Sequence, residues 1–234
     1  MVKNIRQKIM MLFVGRESEK KKIIESLRHG KNIVLGGKFG MGRTSIIKEA
    51  ANLLTNERKF IFIDFNRTPG DMSRYLMKVL GISTRIKKSG VKMGYKSMRH
   101  RIANIESPKG KKTVIVFDNI AKITPQKIIF LRHLILEGHF QFIAIVENFL
   151  PANDLMLLKA QLVPVDSMLL NYLKDEDVIS FIRLYSEKYH LNWSDAYIHG
   201  IAALTGGYPL NIIETLRFSP PSKQPLSGNW ADAN

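Results

Sequence analysis

At 234 residues, with 45% hydrophobic residues and no cysteine, the chain can build a sizeable core but no disulfide framework or thiolate metal site. Its six histidines show neither H-x3-H nor HExxH spacing, and no apolar run approaches the length of a membrane span. The formal net charge of +16 points to a polyanionic partner, nucleic acid before membrane.

The first residues, MVKNIRQKIMMLFVG, join a basic start to a short apolar run. They lack a small-residue cleavage site, and Arg16 and Glu17 follow at once, so a secretory signal is not expected. A cytoplasmic protein without a membrane partner is the expectation. Residues 32–35 (NIVL) read as a short buried strand that ends at a glycine-rich run. Residues 45–54 have helical periodicity, with Ile46, Ile47, Ala50, Leu53 and Leu54 on one side. Residues 60–65 (FIFIDF) read as a second strand. A turn at Pro69-Gly70 follows, then a helix from Asp71, which is placed to cap it. Residues 113–117 (TVIVF) and 142–146 (FIAIV) are a third and a fourth strand, with a helix through 128–136 between them. Continuous apolar strands separated by helices predict a parallel sheet covered on both faces. The expected fold class is α/β: a three-layer domain with a parallel sheet at 13–165, then a small helical subdomain at 166–217. The subdomain is read from helical patterns at 175–189, 194–204 and 209–216, with no convincing strand after 168. The tail, 218–234, is rich in Pro and Ser and is expected to be disordered or bound to a protein partner.

The charge is concentrated in two places. Residues 1–31 carry nine Lys/Arg against three Glu, and residues 82–112 carry ten against Glu106 alone. A basic N-terminal segment, 1–12, and a basic insertion, 82–112, therefore stand out from a near-neutral body. In the insertion Arg85, Lys87, Lys88, Lys92, Lys96, Arg99 and Arg101 are interleaved with Gly and Tyr95 rather than with acids. These are the candidate nucleic-acid residues, suited to phosphate contacts that ignore sequence and weaken with salt.

The glycine run GGKFGMGRTS at 36–45 fits the phosphate-cradling pattern G-x-x-x-x-G-K-[ST] at every position but one. It follows a strand and opens a helix, as that chemistry requires. Backbone N–H groups from Gly37, Lys38, Phe39, Gly40, Met41 and Gly42 through Arg43, Thr44 and Ser45 are the candidate phosphate cradle. Thr44 supplies a hydroxyl for Mg²⁺. Arg43 replaces the lysine with a planar fork, which keeps the charge and changes its shape. The third strand delivers Asp118, a second candidate Mg²⁺ residue, to the same end of the sheet. Asn119 follows where an acid would orient the attacking water, and an amide cannot act as a general base. Asn148, at the end of the fourth strand, is a candidate sensor of the terminal phosphate. Glu147 is a candidate replacement for the missing acid.

Phe-Val-Gly-Arg-Glu at 13–17, with Glu19 and a helix from Lys20, resembles the opening box of the AAA+ and STAND ATPases. The archaeal-ATPase and origin-initiator branches are the most similar. Thr-Gly-Gly-Tyr-Pro-Leu at 205–210 resembles the G-G-x-P-L segment of their helical lid. The order of box, glycine loop, acid-ended strand, sensor strand and lid spans 13–217. The resemblance implies that ATP is the ligand and that Val14, Gly15 and Arg16 lie by adenine and ribose. It places Tyr208 and Pro209 over the base and implies homo-oligomers. The minimal form is similar to small AAA+ helpers of DNA transposition and replication. Three functions are compatible with these residues. One is a nucleotide-dependent switch on DNA with weak or absent hydrolysis. Another is an active ATPase using Glu147 or a residue from a neighbouring subunit. The third is a pseudo-ATPase scaffold that binds a protein partner.

Overall fold

The computed structural model describes residues 13–84, 93–104, 111–136 and 138–218. They fall into two compact units. One is Glu17–Asn171; the other joins the described residues up to Arg16 to those from Tyr172 onward.

The larger unit begins with α1 (Glu17–Arg28) and β1 (Asn32–Gly37), then α2 (Arg43–Leu53) and β2 (Arg58–Asp64). It continues through α3 (Pro69–Val79), α4 (Tyr95–Ala103), β3 (Lys112–Ile120), α5 (Pro125–Leu136) and β4 (Phe140–Val146). It closes with α6 (Ala152–Gln161) and β5 (Val165–Leu170). The five strands pair in the order β2-β3-β4-β1-β5, and all four pairings are parallel. Every residue of β4 is buried, so helices cover both faces of the sheet, and its near-continuous apolar run follows from that position. Phe117 lies at the centre of the core, with ring centroids 5.3 Å from Phe65, 6.3 Å from Phe130 and 6.1 Å from Phe142.

The parallel α/β architecture expected from the sequence is present, with three differences in its elements. The first is β5, which the sequence reading does not include. Its six residues pair in unbroken register with β1, from Asn32↔Val165 to Gly37↔Leu170. Having a neighbour on one side only, it carries Asp166 and Ser167 and leaves Leu169 68% exposed, so it lacks the apolar run of an inner strand. The second is the start of α3. Thr68, not Asp71, caps the helix: its hydroxyl accepts from the Asp71 N–H at 3.2 Å and donates to the Asp71 carboxylate at 2.6 Å. Pro69 then occupies the first turn, where its fixed φ and missing N–H do no harm. The Thr68 hydrogen bond, and after it the Arg74 pair, holds the Asp71 carboxyl below the usual range. The third is α6, which the sequence reading also omits.

The smaller unit consists of α7 (Asp175–Lys188), α8 (Asp195–Thr205) and α9 (Pro209–Phe218). They enclose Val178, Phe181, Ile182, Tyr185, Ile198, Ile201, Ile212 and Leu216, with Val14 packed against that cluster. Ser194 caps α8 by accepting from the Tyr197 N–H, and Gly206 ends it in the left-handed conformation at φ 55°. Among the described residues no helix is long and apolar enough to cross a membrane.

Candidate nucleotide site

β1 runs out at Gly37 and α2 begins at Arg43, so the glycine run forms the loop between them. Gly40 (φ 78°) and Gly42 (φ 80°) take left-handed conformations that cost a side-chain-bearing residue about 1–2 kcal/mol. Met41, 2% exposed, anchors the loop in the core, while Lys38 and Phe39 face outward. Gly42 caps α2 without any side-chain hydrogen bond, and the first turn of the helix holds no acid. The N–H groups of that turn are therefore not capped by a side chain, and the positive end of the helix favours an anion.

β4 lies between β1 and β3, so the end of β4 borders the glycine loop. This placement decides the fate of Arg43. Its guanidinium donates to the Val146 carbonyl and to both Glu147 carboxylate oxygens, at 2.8 and 2.7 Å. The two side chains are 7% and 10% exposed. The Glu147 N–H in turn donates to the Ile120 carbonyl at 2.9 Å, which fixes the end of β4 to the end of β3. Asn148 follows, exposed.

On the other side of the loop the Thr44 hydroxyl donates to Asp118, 2.9 Å from one carboxylate oxygen and 3.2 Å from the other. Asn119 is in the left-handed region at φ 61°, and its N–H donates to the Asp118 carboxylate at 2.9 Å. Asparagine tolerates that conformation better than most residues, so its backbone is a second reason for its presence, beside its lack of a proton-accepting group. Asp64 ends β2 in register with Asp118, a second carboxylate at this edge of the sheet that the sequence reading passes over. Nearby, the Lys127 ammonium lies 4.7 Å from the Phe65 ring centre. Burial pushes its pKa down, against the opposing charge of Asp64.

The larger unit thus brings together Gly37, Gly40, Gly42, Arg43, Thr44, Asp118 and Glu147, with Ser45 exposed in the first turn of α2. Val14, Gly15, Arg16, Tyr208 and Pro209 belong to the other unit. There Gly15 sits at φ 79°, and a Cβ at this position would lie 2.5 Å from Cγ of Asp177. Arg16 is also left-handed, at φ 59°, and 5% exposed. Gly207 (φ 74°) passes so close to the Leu173 carbonyl that no side chain fits, and its own carbonyl accepts from the Leu173 N–H at 2.8 Å. Glycine at 207 is therefore required by the turn into Pro209. Tyr208 packs edge-on against Tyr172, with centroids 5.8 Å apart.

Of the candidate nucleic-acid residues, Arg85, Lys87, Lys88 and Lys92 lie outside the described residues. Lys96, Arg99 and Arg101 lie on α4, whose Met98 and Ile102 are buried in the core. Lys96 is exposed, and the Arg99 guanidinium lies 5.3 Å from the ring centre of Tyr95, four residues before it on the same face. Arg101 points elsewhere, with its guanidinium 3.8 Å from the Met93 sulfur.

The Arg43–Glu147 pair is the feature that the sequence reading missed. It placed both residues at the phosphate end of the site but did not join them. The available signal was a cation shaped for a carboxylate and an acid at the end of a buried strand.

No protein-family model matches the sequence, and no curated protein matches it. Solved structures do. The Orc1 protein of Aeropyrum pernix in complex with DNA superposes with a TM-score of 0.65 at 14% identity, over 89% of this chain and 62% of that one. A Walker-type ATPase of Pyrococcus abyssi gives 0.57 at 15% identity, over 88% and 68%. The RuvB Holliday junction branch migration motor of Thermotoga maritima gives 0.51 at 14%, over 86% and 60%. The chain thus spans about three fifths of the length of the Orc1 protein. Sequence identities this low carry the architecture alone, and by that measure the chain has the fold of the AAA+ P-loop ATPases.

Proposed function

We propose that the protein is an ATP-binding switch that acts on DNA, with weak or absent hydrolysis. The observation that carries this reading is the open N-terminus of α2 beside the Thr44–Asp118 pair, with no acid at Asn119. The N–H groups of 38–44 hold the phosphates, and the Thr44 hydroxyl and Asp118 carboxylate offer the hard oxygen donors that suit Mg²⁺. When bound, Mg²⁺ neutralises charge on the phosphates. Thr44 and Asp118 orient that end of the nucleotide, and the exposed Asn148 is placed to sense it. Val14, Gly15, Arg16, Tyr208 and Pro209 take the adenosine. The larger unit then serves as the ATPase domain and the smaller as its lid, in a cytoplasmic homo-oligomer formed with ATP. The tail is available to a protein partner. Calorimetry with ATP and ADP in Mg²⁺, beside phosphate release on the same sample, tests the core of this reading. Micromolar binding with negligible release is expected; no binding of either nucleotide overturns it.

Asn119→Glu is expected to raise phosphate release at least tenfold, because it restores a proton-accepting group where water would be oriented. The left-handed backbone costs the new side chain about 1–2 kcal/mol, so Asn119→Gly serves as the control for the backbone alone. Equal rates in the two variants would mean that the missing acid does not limit turnover.

The basic segment 82–112 is proposed to hold DNA phosphates, in line with its charge and with a DNA complex among the similar structures. Changing Lys87, Lys88, Lys96 and Arg99 together to Glu is expected to weaken duplex binding at least tenfold. The slope of log affinity against log salt should fall by up to about 3.6, as counterion release predicts for four lost phosphate contacts. Fluorescence anisotropy over a salt series reads both, and unchanged binding removes DNA from the proposal.

A further inference from the structure

The two least expected residues of the site, Arg43 and Glu147, behave as one device. This inference rests on the nucleotide-binding reading above and concerns how that site is controlled. Arg43 stands at the first position of α2, directly after the glycine loop. A polyphosphate held by that loop and the helix N-terminus brings negative charge to the same position. The guanidinium there is already committed: it bonds both oxygens of Glu147 and the Val146 carbonyl, and almost no water reaches either charge. Nη2 of the planar guanidinium meets both Glu147 oxygens while Nη1 meets the carbonyl, whereas a lysine ammonium is a single nitrogen, a point charge on a flexible stem. The arginine at this position thus fits the Glu147 carboxylate as well as it fits a phosphate.

We propose that Glu147 is an internal anion that competes with the nucleotide's terminal phosphates for Arg43. With Glu147 in place, the cation at the end of the loop is neutralised and the site attracts polyphosphate mainly through backbone N–H groups. A triphosphate carries enough charge to draw Arg43 away, and a diphosphate carries less, so the pair raises the threshold for binding and only the triphosphate exchanges the partners. Exchange of partners also frees Glu147 at the end of β4, next to the exposed Asn148 and to Phe149, which is 66% exposed. That freed segment is where nucleotide binding would first be felt by a partner. Glu147 is in this view a positioning residue that acts through Arg43.

The test measures binding of inorganic tripolyphosphate, pyrophosphate and ATP by calorimetry to the full chain and to Glu147→Gln, Arg43→Lys and the double variant. Denaturation midpoints are followed in parallel. Glu147→Gln is expected to tighten tripolyphosphate and ATP at least tenfold and pyrophosphate less, although it lowers the midpoint. A residue with a purely structural role would lower both stability and affinity. Arg43→Lys carries the test independently if Glu147→Gln does not fold, because one ammonium nitrogen cannot take the places of both Nη1 and Nη2, so the hold on Glu147 weakens and binding should also tighten. Wild-type binding of ATP with no gain in either variant overturns the latch and leaves the nucleotide reading in place. Weaker binding in Glu147→Gln also overturns it, since Glu147 would then be holding Arg43 ready for phosphate. Absence of polyphosphate binding in every form removes the latch and the reading together.

Discussion

Arg43→Ala is expected to lower the free energy of unfolding by about 3–5 kcal/mol, the range seen when one partner of a buried ion pair is removed. The cause is what remains. Glu147, only 10% exposed, would be left without the guanidinium that meets both its oxygens, and the Val146 carbonyl would lose its donor. Arg43→Met combined with Glu147→Leu should recover most of that loss, because two apolar side chains of similar size leave no buried charge unmatched. Arg28→Ala is the internal comparison. Arg28 forms an equally short pair with Glu57, at 2.7 Å, but the two side chains are 56% and 44% exposed. Water replaces that partner readily, so little change is expected. Urea denaturation of the four proteins decides the matter. A small loss in Arg43→Ala would mean that water reaches Glu147 and that the pair is not a sealed one.

Phe117→Ala should also cost about 3–5 kcal/mol, for an apolar reason. Phe117 has no exposed surface and touches three other phenylalanine rings, so truncation opens a cavity that a packed parallel sheet cannot close. Its position gives the substitution a second consequence. Phe117 precedes Asp118 on β3, and the core ring is what holds that carboxylate at the end of the strand beside Thr44. ATP affinity in Mg²⁺ is therefore expected to fall together with the denaturation midpoint. Phe117→Leu, which keeps most of the volume, should cost less than about 1.5 kcal/mol and retain binding. Full retention of stability in Phe117→Ala would show that the helices can close over the gap.

The parts of this protein that could be read from the sequence are those encoded within a few residues. A strand buried on both faces must be apolar throughout, so the three inner runs ending near Leu35, Phe117 and Val146 are visible without a structure, and the edge run ending near Phe65 is apolar enough to join them. A loop that must take left-handed conformations needs glycine, so the turn at 36–45 is visible from its glycine spacing alone. Asp118 could be placed because an acid closing an apolar strand has few other uses. β5 escaped because its pattern is short and mixed, with Asp166 and Ser167 inside it and only Leu170 buried. Asn119 was read as a lost acid, whereas its φ of 61° ties its identity to the backbone as well. Arg43 and Glu147 are 104 residues apart, and neither carries a local mark of the other. They meet because β4 inserts between β1 and β3, a strand order that no local pattern specifies. Periodicity and turn chemistry are properties of neighbouring residues and survive in the linear chain. Which cation meets which anion depends on the order in which parallel strands associate, and only the folded sheet decides that.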